Sequence, residues 1–498
     1  MQSQNPQKLS ASEDRQRWVA LYVLCAGMLM IVLDGTVVNV ALPTIQDDLG
    51  FTSSNLAWVV NAYMIAFGGL LLFAGRMGDL IGRRKMFLSG LALFSAASLL
   101  CGLASSQEWL VAARFLQGIG GAMTAAVILG MIVTMFPEPK EQAKAIGVFA
   151  FVASAGGSIG LLAGGVLTSA ISWHWIFFIN LPIGLVTAVL AQRLLADDAG
   201  LGLKAGADVP GAILITSALM VGVYTIVAPA AEQGWTHSET LLFALGALVL
   251  LVAFIVREST AATPLIPLRI FKSRNVTGAN LIQIFAIAGM FGLFFLGALY
   301  LQRILGYDAL ETGLAFLPMT IVMGTLSVKF AEPLITRFGA RTLQFPGLAL
   351  VALSLVLFTR TTVDGNYWEH VFPVMVLLGL GAGICFPGLM TIAMSGATPQ
   401  DAGLASGLVN TSAQVGGAVG LAVLATLSAS RTEDAEATGT ATAQALLDGY
   451  HLAFWVAAGL VLVAIAVAAF VVRPVQMPPH GETAPELEPE FALAGADA

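Results

Sequence analysis

The chain has 498 residues, of which 57% are hydrophobic and 11% charged, with a formal net charge of -7 and a mean hydropathy of +0.85. These values lie far from those of soluble domains and exclude a soluble catalytic domain, so the expectation is an all-α integral membrane protein. The net charge says little about partners, because the acid excess sits in loops and in the last segment; no nucleic-acid partner is expected.

Lys8, Arg15 and Arg17 precede an apolar run that begins at Trp18. The run is too long for a cleaved secretory segment and ends without a small-residue cleavage site, so it reads as the first membrane helix. Further runs of about 18 to 25 apolar residues, each long enough to cross a hydrocarbon core of about 30 Å, follow along the chain. They predict spans near 18–42, 56–74, 86–104, 109–136, 145–168, 175–192, 210–228, 240–256, 276–300, 312–330, 343–359, 371–395, 403–428 and 451–472.

Fourteen spans put both termini on one side, and the positive-inside rule makes that side the cytoplasm. All but four of the 23 Lys and Arg then fall in cytoplasmic segments: Arg303, Arg360 and Arg431 lie outside and Arg114 within the membrane. Trp58, Trp109, Trp173, Trp175, Trp235, Trp368 and Trp455 all lie near the outer face, where indole rings favour the headgroup level. The expected location is the inner (cytoplasmic) membrane. Cys25, Cys101 and Cys385 are read as buried thiols with no metal-ligand spacing.

Five regions are predicted: a cytoplasmic tail 1–17, a six-helix half 18–195, two inserted helices with their loops 196–274, a second six-helix half 275–473, and a disordered acidic cytoplasmic tail 474–498. The outer loop from Ser428 to Tyr450 is polar and is expected to be mobile. The two halves echo each other. A shift of 260 positions pairs Gly147 with Gly407, Gly156 with Gly416, Gly157 with Gly417 and Gly160 with Gly420, and "GRMGDLIGRRK" (75–85) is echoed by "AEPLITRFGAR" (331–341). Repeated halves that rock about a central site are a transporter's signature.

One residue breaks the apolar pattern. Asp34, in "LDGTVVNVALP" (33–43), is the only acid well inside any span. A charge at mid-membrane costs roughly 2.5 to 3.5 kcal/mol on insertion scales, which makes it a functional candidate with a partner to be named. Counting along the helices, Asp34 lies about 12 Å and Arg114 about 7 Å below the outer ends of their spans, a difference that an arginine side chain can bridge.

"LDGTVVNVALP", "GRMGDLIGRRK", "LVAARFLQGIGGA" (110–122), "GGSIGLLAGGVL" (156–167) and "WHWIFFINLPIG" (173–184) together resemble the fourteen-helix drug:proton antiporter branch of the major facilitator superfamily, of the EmrB/QacA type. The resemblance covers nearly the whole chain, with Leu161 where the helix 5 motif usually has proline and His174 where arginine is common. It implies two six-helix halves with two extra helices between them. It also implies proton-driven multidrug efflux by alternating access, no cofactor, and a monomer working in the lipid bilayer on protons and a small-molecule substrate.

Residue by residue, Asp34 becomes the proton-coupling carboxylate and Arg114 the group that tunes it. Gly75, Asp79, Gly82, Arg83 and Arg84 become a cytoplasmic gating latch. Gly156, Gly160, Gly164 and Gly165 form the helix-packing antiporter motif, whose small residues let backbones approach. Asn61, Tyr63, Gln283, Asn410 and Gln414 are candidates for the substrate cavity, each equally able to make a helix-to-helix hydrogen bond.

No GxxxxGK[ST] phosphate loop and no HExxH-like metal spacing occurs, so an ATP-driven pump and a metalloenzyme are both disfavoured and no enzymatic activity is expected. A dedicated exporter of one metabolite, such as an endogenous antibiotic or siderophore, is the nearer alternative. Proton-coupled uptake uses the same fold. A scaffold without transport activity would have no need of Asp34 or the repeat.

Overall fold

The computed structural model describes residues 11–52, 55–398 and 401–474, and no strand occurs among them. Its long helices are α1 (Ala11–Leu49), α2 (Trp58–Ile81), α3 (Arg83–Gly102), α4 (Gln107–Met135), α5 (Pro139–Ala170), α6 (Trp175–Leu194) and α7 (Val209–Val227). They continue as α8 (Ser238–Thr260), α9 (Arg274–Leu299), α10 (Ala309–Phe338), α11 (Ala340–Phe358), α12 (Phe372–Ser395), α13 (Ala402–Ala437) and α14 (Thr442–Phe470). Thirteen of these lie in segments long and apolar enough to cross a membrane; the fourteenth, α5, has 32 residues. Each expected span falls on one of them.

Two boundaries differ from the sequence reading for a physical reason. The predicted tail 1–17 is helical from Ala11, because Arg17 donates to Asp14 at 2.5 Å and to Glu141 of α5 at 2.8 Å, tying a polar extension of α1 to its neighbour. The predicted mobile loop Ser428–Tyr450 is instead mostly helix: α13 runs to Ala437 and α14 starts at Thr442. Arg431, Glu433, Asp434 and Glu436 are exposed while Ser428, Ala429, Ala435, Ala445, Leu447 and Tyr450 are buried. The tail 474–498 lies outside the described residues but for Pro474.

Helix α6 breaks at Ile179 into Trp175–Phe178 and Asn180–Leu194. Pro182 lacks the N–H that would otherwise bond to the carbonyl of Phe178. The break leaves Asn180 at the junction, fully buried.

The packing repeats between halves. α1 packs on α5 and α6, and α4 on α2 and α3; in the same order α9 packs on α13 and α14, and α12 on α10 and α11. A Cβ on Gly156 would press on Leu29 and Val32 of α1, and one on Gly416 would lie 2.5 Å from the Ile284 carbonyl of α9. The loop echo is preserved too, since Gly82 (φ 103°) and Gly339 (φ 83°) adopt the same left-handed backbone between consecutive helices.

Two seams join the halves: α5 on α10, and its symmetry counterpart α13 on α2. Gly165 sits over Leu310 and Gly313 over the Leu161 carbonyl in the first seam; Gly68 sits over Gln414 in the second. The inserted helix α7 packs on α8 and also on both α2 and α13, so it lies along the second seam alone. Hydrogen bonds between halves gather at the end opposite the termini. There Gln302 donates to the Val40 carbonyl at 2.8 Å, Arg303 pairs with Asp47, and Leu310 N–H donates to Ser169 Oγ at 3.3 Å.

The α1 and α5 backbones approach closely at Gly160, where a Cβ would overlap Thr36 Oγ1 and sit 3.1 Å from the Leu33 carbonyl. Gly160→Ala should therefore lower stability by about 1 to 3 kcal/mol, the usual range for overpacking. Gly147→Ala, on the same helix with nothing within 4 Å, should not. Thermal melting of the two purified variants checks this; equal melting temperatures would contradict it.

Candidate functional site: the buried carboxylate of α1

Asp34 and Arg114 are 0% and 1% exposed, and Arg114 Nη1 donates to Asp34 Oδ2 at 2.5 Å. The other carboxylate oxygen, Oδ1, accepts from Gln117 Nε2 at 2.6 Å and from Asn180 Nδ2 at 3.0 Å. Arg114 is itself held: Nε donates to the Val59 carbonyl of α2 at 2.9 Å, Nη1 also to Gln117 Oε1 at 2.6 Å, and the guanidinium lies 4.4 Å from the centre of the Tyr63 ring and 5.8 Å from that of Phe177. Ser98 of α3 accepts from Gln117 at 2.7 Å and from Asn180 at 3.3 Å. The cluster thus ties α1, α2, α3, α4 and α6 together around one acid.

Three donors and no acceptor face the carboxylate, an arrangement that fits the ionised form. A proton on Asp34 would cancel the attraction to Arg114 and add a donor where donors already crowd.

Asp34, Arg114 and Tyr63 come together as one site. The remaining cavity candidates are spread. Asn61 is fully buried and both atoms of its amide lack a partner, as does the Tyr63 hydroxyl two residues on. Gln283 is buried on α9, Gln414 packs over Gly68 at the second seam, and Asn410 is exposed with its amide on the Ser406 carbonyl. Among the described residues no hydrogen bond joins any two of these five. Sequence reading missed Gln117, Asn180 and Ser98; Gln117 could have been found, since it lies three residues beyond Arg114 on the same helical face.

At the other end of the half, Arg83 donates to Asp79 Oδ1 at 2.9 Å and to the Gly130 carbonyl of α4 at 3.1 Å, and Arg84 donates to the Gln192 carbonyl of α6. Gly75 faces Ala126 of α4. Asp198, in the α6–α7 connection, is a further member: its carboxylate accepts the backbone N–H groups of Arg83 and Arg84 at 2.9 and 3.3 Å and so caps α3. A Cβ on Gly82 would lie 2.5 Å from the Asp198 carbonyl, and the N–H groups of Leu201 and Gly202 bond to the Asp79 and Leu80 carbonyls. The loop leading to the insert is thus docked on the turn between α2 and α3.

The three cysteines are buried and free; Cys101 Sγ lies 3.6 Å from Gln117 Oε1 at the edge of the acid cluster. Of the tryptophans, Trp173 does not face lipid: its ring is buried, stacked on His174, and its indole N–H donates to Asp48 at 2.9 Å.

Residues 24–421 match the sequence pattern of the Major Facilitator Superfamily. The chain belongs to this superfamily. Its relatives include the puromycin resistance protein pur8 of Streptomyces alboniger, 39% identical over 461 residues that cover 91% of each chain. The cephamycin export protein CmcT of Amycolatopsis lactamdurans is 39% identical over 420 residues, 84% of this chain and 86% of the relative. Among solved structures, a bacterial homologue of the human lysosomal transporter Spinster, in an inward-facing and unoccupied conformation, shares the fold with a TM-score of 0.64 at 17% identity, covering 91% of this chain and 96% of that one. This major facilitator protein is a multi-pass membrane transporter of small molecules and not an enzyme.

Removing one partner of the buried pair should be costly: Arg114→Met strands a charge and should destabilise by about 3 to 5 kcal/mol, whereas Asp34→Leu with Arg114→Met should recover much of the loss. Melting of the single and double variants tests this, and a double variant no more stable than Arg114→Met would count against it. At the turn between α2 and α3, Asp198→Ala should cost about 1 kcal/mol through loss of the α3 cap. Gly82→Ala should cost more, because of its left-handed backbone and the Asp198 carbonyl against it; the same melts rank the two.

Proposed function

We propose that this transporter exports drug-like small molecules, lipophilic or cationic, across the cytoplasmic membrane in exchange for protons, with Asp34 as the group that carries the proton and Arg114 as its counter-charge. The observation that carries the reading is the occluded, fully hydrogen-bonded carboxylate at the junction of five helices. It lies in the same helix whose far end pairs with Arg303 of the other half, so a change at Asp34 is mechanically connected to the closure between halves.

With both termini in the cytoplasm, as the basic residues favour, the closed end faces outward and the chain is poised to take substrate from inside. Protonation from outside would loosen the Asp34 cluster in the alternate state; release inside would restore it. One charge moved across 100 mV supplies roughly 2.3 kcal/mol, before any pH gradient is counted. A cationic substrate would compete with the proton for the same acid, which yields antiport directly. The latch of Asp79, Arg83 and Asp198 would hold one of the two conformations.

The names of the relatives, one for puromycin resistance and one for cephamycin export, also favour a narrower reading in which a single antibiotic is the cargo. A panel separates the two. Cells making the wild type should extrude ethidium and chemically unrelated compounds in a protonophore-sensitive way, and Asp34→Asn should reduce efflux at least tenfold at equal membrane levels. Efflux confined to one antibiotic selects the narrow reading, and undiminished efflux by Asp34→Asn refutes the coupling role.

A further inference from the structure

The insert carries a pair of buried acids, apart from the Asp34 cluster. Asp208 precedes α7 and Glu258 lies in the last turns of α8, and they are 1% and 3% exposed. One oxygen of each is engaged. Asp208 Oδ1 accepts the Gly211 N–H at 3.2 Å and Arg257 Nε at 2.9 Å, and Glu258 Oε2 accepts the Ile266 N–H at 2.7 Å.

The other two oxygens, Asp208 Oδ2 and Glu258 Oε1, are buried without any hydrogen-bond partner. They converge: a Cβ on Gly211 would lie 2.6 Å from the first and 2.9 Å from the second. The absence of a side chain at Gly211 leaves the two carboxyl groups facing each other over the first turn of α7.

Two ionised oxygens so placed repel in a medium that screens poorly, and each also forgoes its hydrogen bond. A single proton resolves both costs, making one group donor and the other acceptor. Among the described residues no group of three or more His, Cys, Asp or Glu could hold a metal. On α2, Arg76 Nε reaches the Gly206 carbonyl at 3.1 Å, and the stretch 261–268, whose Ile266 N–H bonds to Glu258, contains no titratable side chain.

We propose that Asp208 and Glu258 share one proton between Oδ2 and Oε1, a second proton-binding site located on the inserted helices rather than in either half. Its state reaches the second seam through the chain itself. Glu258 anchors Ile266 in the α8–α9 connection, and four residues on, Ile270 packs with Val276, Ala405 and Leu408 against Leu72 of α2. Arg269 in the same connection pairs with Asp401 at 2.8 Å. Loss of the proton would drive the two carboxylates apart and pull on this connection.

An infrared pH titration of the purified full chain in nanodiscs tests the site without reference to transport. The wild type and Asp34→Asn should both show a protonated-carboxyl C=O band at neutral pH that is missing from Glu258→Gln and from Asp208→Asn. Glu258→Gln keeps an acceptor for Ile266, so it should fold. A proton held in the folded state but released by the unfolded chain makes stability fall as pH rises above the ordinary carboxylate range, so over that rise the wild-type melting temperature should drop more than that of Glu258→Gln. A band unchanged in both insert variants, an identical pH dependence of melting, or loss of the band on adding sodium, potassium or magnesium at fixed pH would each overturn the proposal.

Discussion

A carboxylate shut away from water must receive every one of its partners from the protein, and the N-terminal half is arranged around that demand. Asp34 takes a guanidinium and two amides from α4 and α6, while Arg114 takes the Val59 carbonyl of α2 and the faces of Tyr63 and Phe177. The break in α6 at Ile179 places Asn180 within reach of α1, and Ser98 of α3 closes the network. A buried charge pair of this kind adds little net stability over an apolar core. What it adds is a set of directional bonds that joins five helices at one point.

The same framework appears in the second half without the chemistry. Gly416 and Gly420 admit Ile284 and Ala288 of α9 as Gly156 and Gly160 admit the segment of α1 around Leu33. The stretch of α9 that corresponds to Asp34 is therefore the apolar run around Ala286 to Gly289. The asymmetry extends to the seams, because α7 lies along α2 and α13 while the junction of α5 with α10 has no such cover. Rocking of the halves would consequently move the insert with one seam and leave the other free.

Glycines set how near the helices come. Where α5 meets α1 and α10, Gly160, Gly164, Gly165 and Gly313 face backbone or β-branched side chains at distances that no Cβ tolerates. Leu161, in place of the motif's usual proline, keeps its backbone N–H within α5 and lays its carbonyl against Gly313 of the other half. Close approach of backbones over smooth surfaces suits an interface that must slide, since few side chains need to disengage.

The sequence by itself determined the membrane class, the fourteen spans, the two-fold repeat and the pairing of Asp34 with Arg114, because hydrophobic length, glycine spacing and the rarity of charge within apolar runs are local properties of the chain. It did not mark Gln117, Asn180 or Ser98 as ligands of the acid, since single polar residues in separate helices become a site only when packing brings them within 3 Å or so of one oxygen. It also mistook 428–450 for a mobile loop, because polar composition hides a helix whose buried face is built from scattered Ala, Leu and Tyr. Tertiary structure alone decided that Asp198 caps α3 from the α6–α7 connection, that α7 covers one seam only, and that Asp208 and Glu258, fifty residues apart in sequence, meet over Gly211. Each is a contact between distant segments, and such contacts depend on how whole helices dock, which no local pattern encodes.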